Sequence, residues 1–165
     1  MKCESKMNTC KGYIVIALFF AACRLLMGTA LAQETERPAR MKDLPPAVQA
    51  TVREQSRGAV IRGLSIEIEK GQTFYEASLK IKGRIRDVLI DANGIVVETE
   101  DQVILASLPP AARAEIVKQA GKGRILTVES ITKNNTIVAY EAHVKTAGKI
   151  SEIKVDPGGK SLPPE

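Results

Sequence analysis

Tryptophan is absent, histidine occurs once, and the three cysteines (Cys3, Cys10 and Cys23) all fall near the N-terminus. Beyond Cys23 there is no thiol, which excludes a disulfide framework, a thiolate nucleophile and a Cys-ligated metal from the rest of the chain. Aromatic residues make up 4% of the sequence, and past the N-terminal segment they are Phe74, Tyr75 and Tyr140. That is too sparse for a platform on which nucleic-acid bases could stack. No glycine-rich phosphate loop, zinc-ligand spacing or nucleophile elbow is present. No apolar run reaches the ~20 residues that span a bilayer as a helix. These absences lead to the expectation of no catalytic residues, no metal, no cofactor and no nucleic-acid partner.

The N-terminus has the order of an export signal. Lys2, Lys6 and Lys11 are followed by the weakly polar to apolar run Tyr13–Cys23 and then by Ala30-Leu31-Ala32, a small-residue cleavage site before Gln33. Residues 1–32 are therefore read as a signal peptide and the protein as periplasmic or secreted. Arg24, between the apolar run and the cleavage site, fits this pattern badly. Two alternatives stay open. Phe20-Ala21-Ala22-Cys23 is similar to a lipobox, which would give a lipoprotein anchored through Cys23, and the segment could be retained as an anchor. Membrane association is expected only in those two cases. Intact-mass analysis of the exported protein is expected to give an N-terminus at Gln33; a diacylglyceryl-modified Cys23 would establish the lipoprotein instead.

The signal carries four of the 24 Lys and Arg residues and one of the 19 Asp and Glu residues, so 20 against 18 remain and the net charge falls from +5 to +2. A polyanion partner needs clustered cations, and this balance does not supply them.

The rest of the chain is organised by a repeat. Leu44-Pro45-Pro46-Ala47 returns as Leu108-Pro109-Pro110-Ala111, Tyr75-Glu76-Ala77 as Tyr140-Glu141-Ala142, and Asp91 with Gly94 as Asp156 with Gly159. Fifteen identities recur in order, at an offset of 64 that becomes 65 after one inserted residue. Proline in the first turn pre-sets φ for a helix. Asp43 is placed to favour the first helix N-terminus. Val48 and Val52 stack at i,i+4 in one copy, as Ala112, Ile116 and Ala120 do in the other, and Gly58 and Gly121 end the helices. Such short helices are marginal alone and must pack on something.

Strands follow. Leu64, Ile66 and Ile68 alternate with polar residues, as do Tyr75, Ala77, Leu79 and Ile81, and then Val88 and Ile90. Lys70-Gly71, Lys82-Gly83 and Asn93-Gly94 read as turns. In the second copy Val128 and Ile131 fall on different faces unless a bulge intervenes. Ile95–Val97 and Val103–Leu105 read as a joining strand or linker interrupted by Glu98-Thr99-Glu100-Asp101. The expected fold is α+β: two tandem modules, each a short N-terminal helix on a three- or four-stranded antiparallel sheet, with a shared core or an extended common sheet left open. The segments are a signal at 1–32, a flexible leader at 33–43, modules at 44–107 and 108–162, and a tail at 163–165.

An opening Leu-Pro-x-Ala helix, a Tyr-Glu-x strand and a strand ending Asp-x-x-Gly resemble the PepSY-like family, including its β-lactamase-inhibitor-like group. The carriers are Leu44–Ala47, Tyr75–Ala77 and Asp91–Gly94, with counterparts Leu108–Ala111, Tyr140–Ala142 and Asp156–Gly159. The resemblance implies exported domains that bind or inhibit proteins, peptidases among them, without a cofactor, and it transfers no binding residue.

Weighed individually, most polar residues have structural readings. His143 reads as an exposed strand residue, with a contact or pH-sensitive role as the alternative. Glu76 and Glu141 are the carboxylates a hydrolase reading would use, but duplication already accounts for both. Asp91 and Asp156 read as Asx turns before glycine. Tyr75 and Tyr140 point inward. Phe74 and Leu89 point outward, where solvent favours polar residues, and with Glu76 and Ser78 they form the candidate partner-binding surface. The function expected is that of an exported non-enzymatic protein-binding module, a peptidase inhibitor or envelope sensor, whose partner is another exported or envelope protein. A structural or folding accessory of the envelope and a hydrolase are the alternatives.

Overall fold

A computed structural model describes residues 35–163 except Lys70. The signal segment, Cys23 and the cleavage site lie outside the described residues. The elements are β1 (Thr35–Pro38), α1 (Pro46–Gln55), β2 (Val60–Glu69), β3 (Gln72–Ile81), β4 (Arg84–Asp91), β5 (Val96–Gln102), α2 (Pro110–Ala120), β6 (Arg124–Lys133), β7 (Thr136–Thr146), β8 (Lys149–Val155) and β9 (Ser161–Leu162). Single 3-10 turns at Met41–Asp43 and Leu105–Ser107 precede the two helices.

The nine strands of the described residues form one antiparallel sheet in chain order. This corrects the expectation of two tandem helix-on-sheet modules. β5 pairs with β4 on one side and with β6 on the other, through Thr99↔Thr132, Glu100↔Ile131 and Asp101↔Ser130, so the ladder runs unbroken across the repeat. Glu98-Thr99-Glu100-Asp101, expected to interrupt a linker, is the middle of that joining strand. The leader at 33–43 is corrected as well. Thr35–Pro38 pairs with Ser65–Ile68 as an edge strand, and Pro38 is tolerated there because an edge position need not donate to the ladder. Asp43 does not cap α1. Its carboxylate closes the preceding 3-10 turn with Arg40, accepting from the backbone N–H at 3.1 Å and from Nε at 2.8 Å.

Residues directly opposite each other in an antiparallel pair share a face. The row Ile61↔Leu79↔Arg86↔Asp101↔Ser130↔Tyr140↔Val155 crosses the sheet and links the two cores, so both helices lie on the same face. Under α1, Val48, Val52, Ile66, Ala77, Leu79, Val88 and Ile90 are buried together. Under α2 the set is Ala112, Ile116, Ala120, Val128, Tyr140, Ala142, Val144, Ile153 and Val155. Between them the same face turns polar: Arg86 forks onto Asp101 at 2.6 and 3.0 Å, and Thr99 stands beside Thr132. The repeat survives as two apolar patches on one sheet.

The duplicated motifs are structural partners. The Asp91 carboxylate accepts from the N–H groups of Asn93 and Ile95 at 2.9 and 2.8 Å, and Asp156 accepts from Lys160 at 2.9 Å. Asp91 makes the Asx turn expected, whereas Asp156 bonds four residues on and its turn closes through the Gly159 N–H on the Asp156 carbonyl at 2.9 Å. Each turn ends in a glycine at φ +84 that sits against the first helical turn, Gly94 beside Ala47 and Gly159 beside Ala111. Thr51 Oγ1 donates to the Gly94 carbonyl at 2.6 Å, fixing α1 to that turn. Val128 and Ile131 do face opposite sides. The bulge lies after Ile131, so Ile131 stays on the helix-free face and is buried there.

Candidate functional site

The face opposite the helices carries the four predicted contact residues. Phe74, Glu76, Ser78 and Leu89 are all partly buried, on β3 and β4. Three cross-strand rows hold them: Glu36↔Glu67↔Phe74↔Asp91, then Ser65↔Glu76↔Leu89↔Glu98, then Ser78↔Asp87↔Glu100↔Ile131. Glu76 is therefore not an isolated outward charge. One oxygen each from Glu36, Glu67 and Glu76 lies within 4.8 Å of the others. Alternation alone places Glu76 outward but says nothing of its acidic neighbours, Glu36 on β1, Glu67 on β2 and Asp87 on β4. Finding them requires the strand register.

Crowding and burial hold protons on this face. Glu76 rises from an ordinary 4.5 to about 9, first because burial disfavours the charged carboxylate, then through its hydrogen bond and repulsion with Glu67 and the charges of Asp87 and Glu36. Glu100 rises to about 8, again by burial first and then through Glu129, Glu141, Glu98 and Asp87. Burial also raises Asp87, against a hydrogen bond from Ser78 that lowers it. Groups shifted this far concentrate at functional sites.

The shift at Glu76 sets a stability prediction. The folded state holds the proton more firmly than the unfolded chain. The favourable contribution is therefore complete below about pH 4.5 and is lost as pH rises toward 9. Glu76→Gln keeps the shape without the charge. It is expected to raise stability at pH 8 by about 1–3 kcal/mol and to change little below pH 4.5. Urea melts at the two pH values decide it; a variant less stable at pH 8 would mean that the ionised carboxylate is favourably held.

The second acidic group lies on β6–β8. His143, on the helix-free face as its alternation predicts, is half-buried rather than exposed. Its Nε2 lies 3.5 Å from Glu141 and 3.6 Å from Glu129, and its Nδ1 lies 3.8 Å from Glu152. The hydrogen bond with Glu129, opposed by burial and helped by all three carboxylates, raises its pKa. Lys154 brings a cation 3.9 Å from Glu141. These acids thus have cations among them, and the three-carboxylate environment of His143 was not visible in the sequence.

The carboxylates a hydrolase would need do not meet. Glu76 on β3 and Glu141 on β7 are separated by four strand spacings, about 19 Å at ~4.8 Å each. Two shallow depressions, one around Ile81, Arg84, Ile85 and Gln102 and one around Arg37–Arg40, include none of the raised carboxylates.

No protein-family model matches the chain, and no curated protein matches its sequence. Solved structures do. A candidate periplasmic protein from Bacteroides eggerthii superposes with a TM-score of 0.59 at 17% identity, over 73% of this chain and 86% of that one. A DUF2874 family protein from Bacteroides ovatus gives 0.56 at 21% identity, over 73% and 86%. A BLIP-like protein from Bacteroides fragilis gives 0.51 at 22% identity, over 72% and 83%. The fold is therefore similar to that of DUF2874 and BLIP-like proteins from Bacteroides.

Proposed function

We propose that the chain is an exported, non-enzymatic protein that binds another envelope or exported protein through its helix-free sheet face around Phe74, Glu76, Ser78 and Leu89. One observation carries the reading: a phenylalanine and a leucine stand among carboxylates on a face that neither helix covers. Apolar anchors inside a polar surround are the pattern of interface hot spots. The signal-like N-terminus and the fold likeness to candidate periplasmic and BLIP-like proteins support export and protein binding. Peptidase inhibition or envelope sensing is the finer form of the same reading.

Capture from an envelope extract tests it. The wild-type protein is expected to retain a stoichiometric partner. Phe74→Ala is expected to weaken that retention by about 2 kcal/mol or more, as hot-spot truncations do, while the urea midpoint stays nearly unchanged. Undiminished capture by the variant would remove this face from consideration.

A further inference from the structure

We infer that the β1–β5 part of the helix-free face is a docking site for a cationic polypeptide segment, with an arginine side chain seated between the Phe74 ring and the Glu67–Glu76 carboxylates. The inference rests on the proposed role of this face and specifies the partner's chemistry.

The acids of this half have few cations among them, and Glu76 and Glu100, which hold their protons near neutral pH, would release them to a bound cation, because an opposite charge favours the ionised carboxylate. Glu36, Glu67, Glu76, Asp87, Glu98 and Glu100 share three adjacent rows on five consecutive strands. Among the described residues, the cation in salt-bridge contact with them is Lys133, which reaches Glu98 Oε2 at 2.7 Å; Arg62 acts on Asp87 from further away. Glu36 lies directly opposite Glu67, a like-charge pairing that destabilises a sheet. The acids of the β6–β8 half differ in having His143 and Lys154 between them. The chain as a whole is net positive, so this acidity is local to one surface and not a general property of the protein.

A second observation is independent of the count of acids. Glu98 is 7% exposed and opposes Leu89 on this face, yet its Oε1 accepts no hydrogen bond; nor does Asp87 Oδ1. Buried oxygens without donors are rare and call for one.

The apolar residues choose between kinds of cation. A bare divalent ion would use the carboxylates and leave Phe74 and Leu89 unused. A guanidinium stacks on an aromatic face while forking onto a carboxylate, and its chain covers apolar surface. An ammonium does the first less well and cannot do the second in the same fixed geometry.

Fluorescence anisotropy with a labelled octa-arginine peptide tests the inference, using protein expressed from the full sequence, with octa-lysine and octa-glutamate as comparison peptides. Octa-arginine is expected to bind, octa-lysine to bind more weakly and octa-glutamate not to bind. The double variant Glu67→Gln/Glu76→Gln, which relieves repulsion and should fold, is expected to lose about tenfold or more in affinity. Phe74→Ala should erase the preference for arginine over lysine, and Glu54→Gln on α1 should change nothing. Equal affinity in the double variant, or an equal loss in Glu54→Gln, would overturn the inference. So would calcium chloride displacing the peptide at micromolar concentration, which would make the face a divalent-cation site. If envelope capture is lost in Phe74→Ala but kept in Glu67→Gln/Glu76→Gln, the face still binds a partner and the cationic chemistry alone is wrong.

Discussion

Tyr140→Ala is expected to lower the stability of the folded protein by about 3–5 kcal/mol, as truncation of a large core aromatic does. Tyr140 is 8% exposed and lies in the patch under α2 with Ile116, Ala142 and Val155. Removing the ring leaves a cavity beneath a helix of eleven residues that is marginal without its packing on the sheet. Its counterpart Tyr75 is only partly buried at the edge of the patch under α1. Tyr75→Ala should cost less, about half as much, because less apolar area returns to water. Urea melts of both variants measure this. An unchanged midpoint for Tyr140→Ala would mean that the ring is not in the core.

Gly94→Ala is expected to cost about 2–5 kcal/mol. Two effects add: a residue with a Cβ at positive φ costs roughly 1–2 kcal/mol, and forcing an atom into filled space costs about 1–3 kcal/mol. The added Cβ would stand 2.8 Å from the Ala47 carbonyl oxygen, which belongs to helical backbone and cannot swing aside. Gly159→Ala meets the same obstacle at 2.7 Å from the Ala111 oxygen. Gly83 separates the two effects, since at φ +89 it has open space around it. Gly83→Ala should show only the backbone cost. Equal midpoints for Gly83→Ala and Gly94→Ala would mean that the turn does not back onto the helix.

That contact explains why Leu-Pro-Pro-Ala and Asp-x-x-Gly travel together in the repeat. Each helix is held at its start by a turn some 47 residues later in the chain, Ala47 against Gly94 and Ala111 against Gly159. The motifs were readable because both ends obey local rules: proline opens a helix, and aspartate followed by glycine closes a turn. The inward faces were readable too, since Ala77, Leu79, Val88 and Ile90 alternate strictly and are buried.

The continuous sheet was not readable, and β5 shows why. Glu98-Thr99-Glu100-Asp101 has the composition of a loop, and polar alternation carries no mark of burial. Only pairing on both sides makes it a strand, and pairing between distant segments is not written in either one. β1 was hidden for a related reason: four residues with a proline look like a tail until β2 offers an edge. The same gap concealed the acidic surface. Glu76 was legible as outward, but its neighbours Glu36, Glu67 and Asp87 on β1, β2 and β4 become neighbours only through register.

Covalent capture in the cell tests the proposed partner surface most directly. Phe74→p-benzoyl-phenylalanine extends the ring with a photoreactive benzoyl group on the helix-free face, and the same substitution at exposed Val117 places one on α2. After irradiation, a discrete adduct to an envelope protein is expected from position 74 and not from position 117. An adduct from position 117 alone would put the partner on the helices and contradict the account.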